Sequence, residues 1–229
     1  MDLVIIKYNA GNIQSVLYAL ERIGLTAEVT DDHERIKRAD KVIFPGVGEA
    51  RSAMNYLKSR LLDQVIVGLR QPVLGICLGM QLMCSYSEEN DTECLGIFNE
   101  KVKLFRPLES EGLASLPGIS QGTDQAQGIP PNNTRQSFPK ARFKVPQIGW
   151  NTIYDLKTKL FDQIPENSYC YFVHGYFAAL GAQTVATSNY IQPYSAALRR
   201  DNFYGTQFHP EKSAGVGEQI LRNFLSDKL

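Results

Sequence analysis

Short apolar runs alternate with helix-length segments through the N-terminal third of the chain, and this alternation constrains the fold more than any other feature of the sequence. The runs at residues 3–6, 27–30, 41–44 and 72–76 are rich in β-branched residues, which is typical of buried strands. Apolar residues recur at helical spacing after Asn12, which predicts a helix between the first two runs. Strands that alternate with helices form a parallel sheet covered by those helices.

The second half of the chain has a different texture, with shorter runs that predict a more mixed set of strands. Further helices are predicted at 48–69, 78–86 and 216–225, and further strands at 101–105, 169–173, 183–187, 195–198 and 203–208. We therefore predict an α/β fold whose open, mostly parallel sheet is flanked by helices and whose C-terminal half is partly antiparallel.

A chain of 229 residues is long enough for one α/β domain or for two smaller ones, so length leaves the number of domains open. Residues 108–141 stand apart because they are crowded with Gly, Pro, Ser, Gln and Asn and show neither helical nor strand periodicity. We interpret residues 1–229 as a single domain that carries a flexible insertion at 108–141.

Charge and cysteine content disfavour several classes of protein. Lys and Arg together number 24, as do Asp and Glu, so no net charge attracts a nucleic acid or an anionic membrane surface. The chain shows no basic leader and no run near the roughly 20 apolar residues that span a bilayer, so a cytoplasmic location is expected. The four cysteines resemble neither a disulfide scaffold nor a zinc site, so reduced thiols and no bound metal are expected.

Residues 75–79, Gly-Ile-Cys-Leu-Gly, place Cys77 where the fourth predicted strand meets the following helix. The flanking glycines remove Cβ atoms that would clash in a tight turn, so the motif is the cysteine version of a nucleophile elbow. The helix start favours the thiolate, and the backbone N–H of Leu78 would face a developing oxyanion. Cys77 alone is equally compatible with a small buried core residue, an interpretation that suits the other three cysteines better.

A cysteine nucleophile needs a base, and the chain contains only His33, His174 and His209. His209 is the best placed, because it follows an apolar strand and opens the sequence His-Pro-Glu, in which Glu211 can orient the imidazole. Cys77, His209 and Glu211 would then form a catalytic triad. His33 lies in a polar stretch typical of a solvated helix start, whereas His174 follows an apolar strand and is ambiguous.

Residues 45–48, Pro-Gly-Val-Gly, directly follow the third predicted strand. Open α/β sheets bind ligands at the carboxyl edge of their strands, so backbone N–H groups in this turn could donate to an oxyanion. Taken alone, the tetrapeptide is more often an ordinary strand-to-helix turn.

Three motifs together, at residues 45–48, 75–81 and 207–211, resemble those of the class I, triad-type glutamine amidotransferases. The resemblance implies a flavodoxin-like sheet and a cysteine nucleophile that forms a glutamyl thioester and releases ammonia. The triad carried over from that family is Cys77, His209 and Glu211. No metal or organic cofactor is implied.

The same resemblance implies further contacts with glutamine or with its oxyanion. These fall on Gly46, Leu78 and Gln81, while Val47 is placed near a peptide that must turn to complete the oxyanion hole.

Four further motifs, at residues 8–12, 145–151, 171–176 and 209–213, resemble the glutaminase subunits of the imidazole glycerol phosphate synthases. This resemblance covers nearly the whole chain outside the insertion. It implies that the partner, in a heterodimer, is a cyclase subunit. The cyclase would receive ammonia through an internal channel and make imidazole glycerol phosphate and aminoimidazole carboxamide ribotide in histidine biosynthesis.

The resemblance also implies a set of residues at or near the cyclase interface: Asn12, Trp150, Tyr171 and Lys212. Without it, Trp150 would be interpreted as a core aromatic and Lys212 as a solvated charge. Two positions depart from the usual motifs, since Lys7 stands where an acidic residue is common and Gln147 where histidine is common. Both are expected to affect the interface rather than the chemistry.

Two other functions fit parts of the sequence. A stand-alone cysteine hydrolase, such as a γ-glutamyl hydrolase, would use the same nucleophile without a synthase. A catalytically silent regulatory subunit would bind glutamine or a partner without turnover. The His-Pro-Glu and partner-type motifs argue against the first, the intact triad argues against the second, and partner-dependent glutaminase activity would separate all three.

Overall fold

The computed structural model describes residues 1–9, 11–107 and 143–226 of the chain. The insertion predicted at 108–141 lies outside these residues, so the insertion and the single-domain organisation stay predictions. Within the described residues, no helix is long and apolar enough to cross a membrane.

Strands and helices alternate at first and strands then dominate. The strands are β1 Leu3–Ile6, β2 Glu28–Thr30, β3 Lys41–Gly46, β4 Val73–Cys77, β5 Tyr86–Ser87, β6 Thr92–Glu93, β7 Lys101–Leu104, β8 Gln147–Ile153, β9 Ser168–His174, β10 Tyr176–Ala178, β11 Thr184–Tyr190, β12 Gln192–Arg200 and β13 Phe203–Thr206. The helices are α1 Ile13–Arg22, α2 His33–Arg38, α3 Ala50–Ser59, α4 Leu62–Val67, α5 Leu78–Met83 and α6 Ala214–Leu225, with short 3-10 turns at Lys159–Phe161 and Pro210–Lys212.

A seven-stranded sheet forms the centre of the fold, in the order β11-β12-β13-β4-β3-β1-β2. Pairing from β13 across to β2 is parallel, whereas β12 and β11 are added by antiparallel pairing. This confirms the predicted open, mostly parallel sheet with a partly antiparallel C-terminal half. Two smaller sheets, β10-β7-β5-β6 and β8-β9, complete the strand pairing of the described residues.

The core consists of two apolar layers, one on each face of the large sheet. Successive strand residues point to opposite faces, so Leu3 and Ile5 join one layer while Val4 and Ile6 join the other. Buried residues of α1 and α6 cover the first face, and those of α2, α3, α4 and α5 cover the second. Each large aliphatic side chain buried in this way contributes roughly 1.5–3 kcal/mol relative to exposure.

The helix predicted at 78–86 is wrong at its C-terminal end, because α5 stops at Met83 and β5 begins at Tyr86. Cys84 has an extended backbone, with φ −66° and ψ 175°, and Ser85 donates its backbone N–H to the carbonyl of Glu100 at 3.1 Å. The chain leaves the helix to start the four-stranded sheet. Local apolar spacing does not reveal a pairing partner so distant in sequence.

Strand β8 is not predicted by the sequence pattern, because Gly149 and Asn151 interrupt the β-branched and aromatic residues that favour a strand. Its order comes from antiparallel pairing with β9 along its whole length. Tertiary pairing here outweighs a weak local preference.

Helix α6 packs closely against the turn that carries the His-Pro-Glu sequence, and Gly217 makes this possible. A Cβ atom at Gly217 would clash with the carbonyl oxygen of Pro210, whereas a Cβ at Gly215 in the same helix would meet open space. The approach of α6 to this turn therefore requires a glycine at one position only.

We expect Gly217→Ala to lower the free energy of unfolding by about 1–3 kcal/mol, because the added methyl group must push the helix and the turn apart. Gly215→Ala is the matched control and should raise it by up to about 1 kcal/mol through helix propensity. Urea unfolding followed by circular dichroism measures both. Equal effects of the two substitutions would contradict the packing described above.

Candidate active site

Cys77 occupies a sharp turn between β4 and α5. Its backbone, with φ 53° and ψ −108°, lies where residues other than glycine are strained. Helix α5 crosses β3 so closely that a Cβ at Gly79 would clash with the carbonyl oxygen of Phe44. The glycines around the cysteine are therefore required by backbone approach, and the turn holds the thiol at the carboxyl edge of the sheet.

Cys77 is only 6% exposed, and its sulfur has two polar neighbours. The amide Nε2 of Gln207 donates to Sγ at 3.7 Å, and Sγ lies 3.8 Å from the carbonyl oxygen of Val173. Gln81 in turn donates to Gln207 Oε1 and to the carbonyl of Tyr176, both at 2.9 Å. The predicted contact residue Gln81 is thus held in place beside the thiol.

His209 and Glu211 lie together beyond the end of β13. His209 Nδ1 and Glu211 Oε1 are 2.7 Å apart, with side chains 1% and 0% exposed. The backbone N–H of His209 donates to the carbonyl of Tyr171, and the Ser213 hydroxyl donates to the carbonyl of His209. Because Glu211 engages Nδ1, Nε2 is the ring nitrogen left to exchange a proton with Cys77.

Opposing effects act on the charge of His209. Burial disfavours the imidazolium, but the negative charge and hydrogen bond of the Cys77 sulfur, together with Glu211, outweigh it and raise the pKa of His209 to about 10. The structure therefore brings the three predicted triad residues into one electrostatically coupled group.

The other two histidines have structural surroundings. His174 is buried, and burial is the main cause that lowers its pKa to about 3. Its Nδ1–H donates to the carbonyl of Tyr176 at 2.8 Å, and the Tyr194 hydroxyl lies 3.4 Å from Nε2. His33 begins α2, as the polar stretch suggests, and contacts the carbonyl of Arg60. Neither is coupled to the thiol as His209 is.

A pocket of ≈ 190 Å³ opens onto Cys77. Its walls are formed by Val47, Gly48, Leu78, Gln81, Glu89 and the segment 173–176. Gly46 pairs in register with Cys77 in the neighbouring strand, and a side chain there would clash with the Tyr8 hydroxyl. The four residues predicted to contact the substrate or its oxyanion therefore gather around the thiol.

Glu89 was not predicted from the sequence, where it sits in an ordinary polar turn after α5. It is the one acidic residue among those described that line the pocket, and it accepts a hydrogen bond from the backbone N–H of Ala50 at 2.8 Å. Burial is the main cause that raises its pKa. A single glutamate in a polar run carries no local signal, so only folding shows its place.

The residues predicted at a partner interface differ in their exposure. Trp150 is 53% exposed, so its interpretation as a core aromatic is wrong, and its ring lies 5.8 Å from that of Tyr171. Lys212 is exposed, in agreement with a solvated charge. Asn12 is half-buried and directs its amide to Glu211.

The two departures from the usual motifs have different surroundings. Lys7 is exposed at the end of β1. Gln147 is buried, and its Oε1 accepts a hydrogen bond from the Tyr194 hydroxyl at 3.1 Å. Their predicted effect on an interface stays a prediction.

Comparison with known proteins gives a consistent family. The sequence model of the class-I glutamine amidotransferases matches residues 4–228. An imidazole glycerol phosphate synthase subunit HisH of Bacteroides fragilis is 50% identical over 225 residues, covering 98% of this chain and 99% of that protein. The corresponding subunit of Bacteroides thetaiotaomicron is 48% identical with the same coverage, and that of Haemophilus influenzae is 38% identical, covering 98% of this chain and 97% of its own length.

Solved structures show the same fold at low sequence identity. A putative GMP synthase subunit from Thermoplasma acidophilum superposes with a TM-score of 0.64 at 18% identity, covering 98% of this chain and 92% of that chain. The structure of PurLQS from Thermotoga maritima gives a TM-score of 0.62 at 14% identity, covering 98% and 97%.

The coupling between Cys77 and His209 predicts a distinctive titration. An ordinary histidine loses its proton between about pH 5 and 9. Over this range His209 should stay protonated in the native chain, because its pKa is about 10. His174 should stay neutral, because its pKa is about 3. In Cys77→Ala the pKa of His209 should fall, because the sulfur charge that raises it is gone. NMR of the histidine ring protons measures this.

Cys94→Ala provides the matched control for that titration, because Cys94 lies away from the histidine and should leave its pKa unchanged. An identical His209 titration in the native chain and in Cys77→Ala would contradict the coupling.

Proposed function

The chain belongs to the class-I glutamine amidotransferase family and, within it, to the imidazole glycerol phosphate synthase subunits, and on this premise we propose that Cys77, His209 and Glu211 are its catalytic triad. It is the glutamine amidotransferase subunit of that synthase and acts in histidine biosynthesis. The observation that carries the triad assignment is the buried His209–Glu211 pair coupled to the Cys77 sulfur at the floor of a pocket.

The reaction follows from the positions of these groups. The Cys77 thiolate attacks the side-chain amide carbon of glutamine, and His209 donates its proton to the departing nitrogen, which leaves as ammonia. A glutamyl thioester remains on Cys77. The now neutral His209 then removes a proton from water, which attacks the thioester carbon and releases glutamate and the thiolate.

Backbone donors stabilise the oxyanion in this scheme. The N–H of Leu78 belongs to the first turn of α5, where helical N–H groups have no partner within the helix. Val47 lines the same pocket on the turn after β3, which supports its peptide as the second donor. Removing one such donor typically lowers kcat by about 100- to 1,000-fold.

Glutamine is recognised, in this proposal, by two side chains that line the pocket. Gln81 is fixed next to Cys77 by its own two hydrogen bonds. Glu89 is the acidic wall of the pocket and provides the charge that an α-ammonium group requires.

The two-stranded sheet β8-β9 offers the surface for a cyclase subunit. Its register pairs Ile148 with Val173 and Trp150 with Tyr171, which puts large apolar side chains on one face. Ile148 is 65% exposed, Trp150 53% and Tyr169 60%, and a group of exposed apolar residues on one face marks a site where another protein binds. Such a face supports binding of another protein.

This face adjoins the triad. The carbonyl of Tyr171 accepts a hydrogen bond from the backbone N–H of His209, and the backbone N–H of Tyr171 donates to the Ser213 hydroxyl at 2.9 Å. A cyclase bound here as a heterodimer would receive ammonia through a channel before it reaches water and would perform the lyase part of the synthesis. We also propose that the exposed Lys212 lies at or near the interface with the cyclase and that the complex acts in the cytoplasm.

Cys77→Ala should abolish glutamine-dependent synthesis by the complex with a cyclase subunit, because no thioester can form. Ammonia-dependent synthesis should stay close to that of the native complex. Assays of imidazole glycerol phosphate formation with each nitrogen source measure both, with Cys94→Ala as the control thiol substitution. Loss of both activities in an intact complex would contradict this division of labour.

The same assays separate the alternatives. Equal glutamine hydrolysis with and without the cyclase would favour a stand-alone hydrolase. Absence of hydrolysis in the native complex would favour a silent regulatory subunit.

Ile148→Ala should weaken binding of the cyclase by about tenfold, and Trp150→Ala by more, because aromatic residues at the centre of an interface contribute most to binding. Leu180→Ala is the matched control, since Leu180 is a similarly large aliphatic residue, 50% exposed and outside this sheet. Isothermal titration calorimetry with the cyclase measures the dissociation constants. Equal affinity of all three variants would contradict the assignment of this surface.

A further inference from the structure

Asn12 occupies the N-cap position of α1 but does not cap the helix. An asparagine there normally accepts a hydrogen bond from a backbone N–H of the first turn. Asn12 makes no such side-chain bond, and its backbone is left-handed, with φ 78° and ψ 1°. Helix capping therefore does not explain the direction of the Asn12 side-chain amide.

The amide of Asn12 instead reaches the triad. Its Nδ2 donates to Glu211 Oε1 and lies 3.4 Å from His209 Nδ1. His209 Nδ1 carries the proton that it donates to the same carboxylate oxygen, so Nδ1 cannot also accept from the amide. Of these two neighbours, the carboxylate oxygen is the acceptor that remains for Asn12.

Glu211 depends on these two donors. Its side chain is fully buried, and Oε2 has no hydrogen-bond partner among the described residues. A buried carboxylate is costly unless donors satisfy it, and here both donors converge on Oε1. Without the amide, His209 alone would hold the carboxylate, and His209 is also the group that must change its protonation state during turnover.

We propose that Asn12 is a positioning residue of the triad, whose amide holds the Glu211 carboxylate against His209 throughout the catalytic cycle. Helix α1 supports this role, because Arg22 at its other end contacts the backbone carbonyl of Glu211 at 3.3 Å. The inference rests on the proposed function of the triad. It assigns Asn12 a role inside the subunit, separate from contact with a partner.

Asn12→Gly tests the role without straining the chain, since glycine adopts a left-handed backbone readily. In the complex with the cyclase, kcat for glutamine hydrolysis should fall by roughly tenfold or more, the range expected for losing a hydrogen bond to a charged group. KM for glutamine should change little, because Asn12 does not line the pocket. Ammonia-dependent synthesis should be unchanged.

Asn167→Gly is the matched control. Asn167 also has a left-handed backbone, with φ 64°, but is exposed and lies outside the triad and the pocket. It should retain native kcat. Thermal unfolding of both variants by circular dichroism verifies that each chain is folded.

A pH profile adds a readout that a purely structural role would not move. Asn12→Gly removes the donor that holds Glu211 against the ring of His209, so the carboxylate favours the imidazolium less than in the native chain. Thioester hydrolysis needs neutral His209, so the acidic limb of kcat should move to lower pH in Asn12→Gly. An unchanged limb would count against the positioning role.

Titration with the cyclase separates this role from an interface role. A residue that only binds the partner would change the dissociation constant, and the loss of kcat in Asn12→Gly would vanish at saturating cyclase. Native kcat at saturation would therefore overturn the inference. If the native complex itself hydrolyses glutamine no faster than the Cys77→Ala complex, the proposed function fails instead.

Discussion

The structure depends on the close approach of β3, β4 and α5. Parallel pairing sets Gly46 in register with Cys77, so the turn that follows one strand and the nucleophile that ends the other meet at the same edge. Helix α5 can start there only because Gly79 leaves room for the carbonyl of Phe44. The strained backbone at Cys77 is held by this packing and by the apolar layers on both faces of the sheet. The strained backbone at Cys77 is therefore imposed by the pairing of β3 with β4 and not by the local sequence.

The charges of the site are stabilised by contact with one another, against the effect of burial. His209 and Glu211 are almost fully removed from solvent, which would disfavour two isolated charges. The Cys77 sulfur and the Glu211 carboxylate both favour the imidazolium, and together they exceed the effect of burial. The low polarity of these surroundings strengthens the interactions among the sulfur, the imidazole and the carboxylate. His174 shows the opposite outcome, because burial and then the charge of His209 lower its pKa, and its hydrogen bond to the carbonyl of Tyr176 does not offset them.

A few backbone contacts join the candidate triad to the exposed face of the β8-β9 sheet. Strand β9 presents Tyr171 outward beside Trp150 while its backbone binds both His209 and Ser213. A protein seated on this sheet therefore lies one layer from the imidazole.

The sequence by itself determined the alternation of strands and helices, the class of fold and the residues of the candidate triad. These features depend on local periodicity and on short motifs such as His-Pro-Glu. It did not determine the end of α5, strand β8 or the position of Glu89, because each depends on neighbours far away in the chain. The same holds for Asn12, which the local sequence places only at the start of a helix. Its contact with Glu211 spans 199 positions, and only the tertiary structure brings those two side chains together.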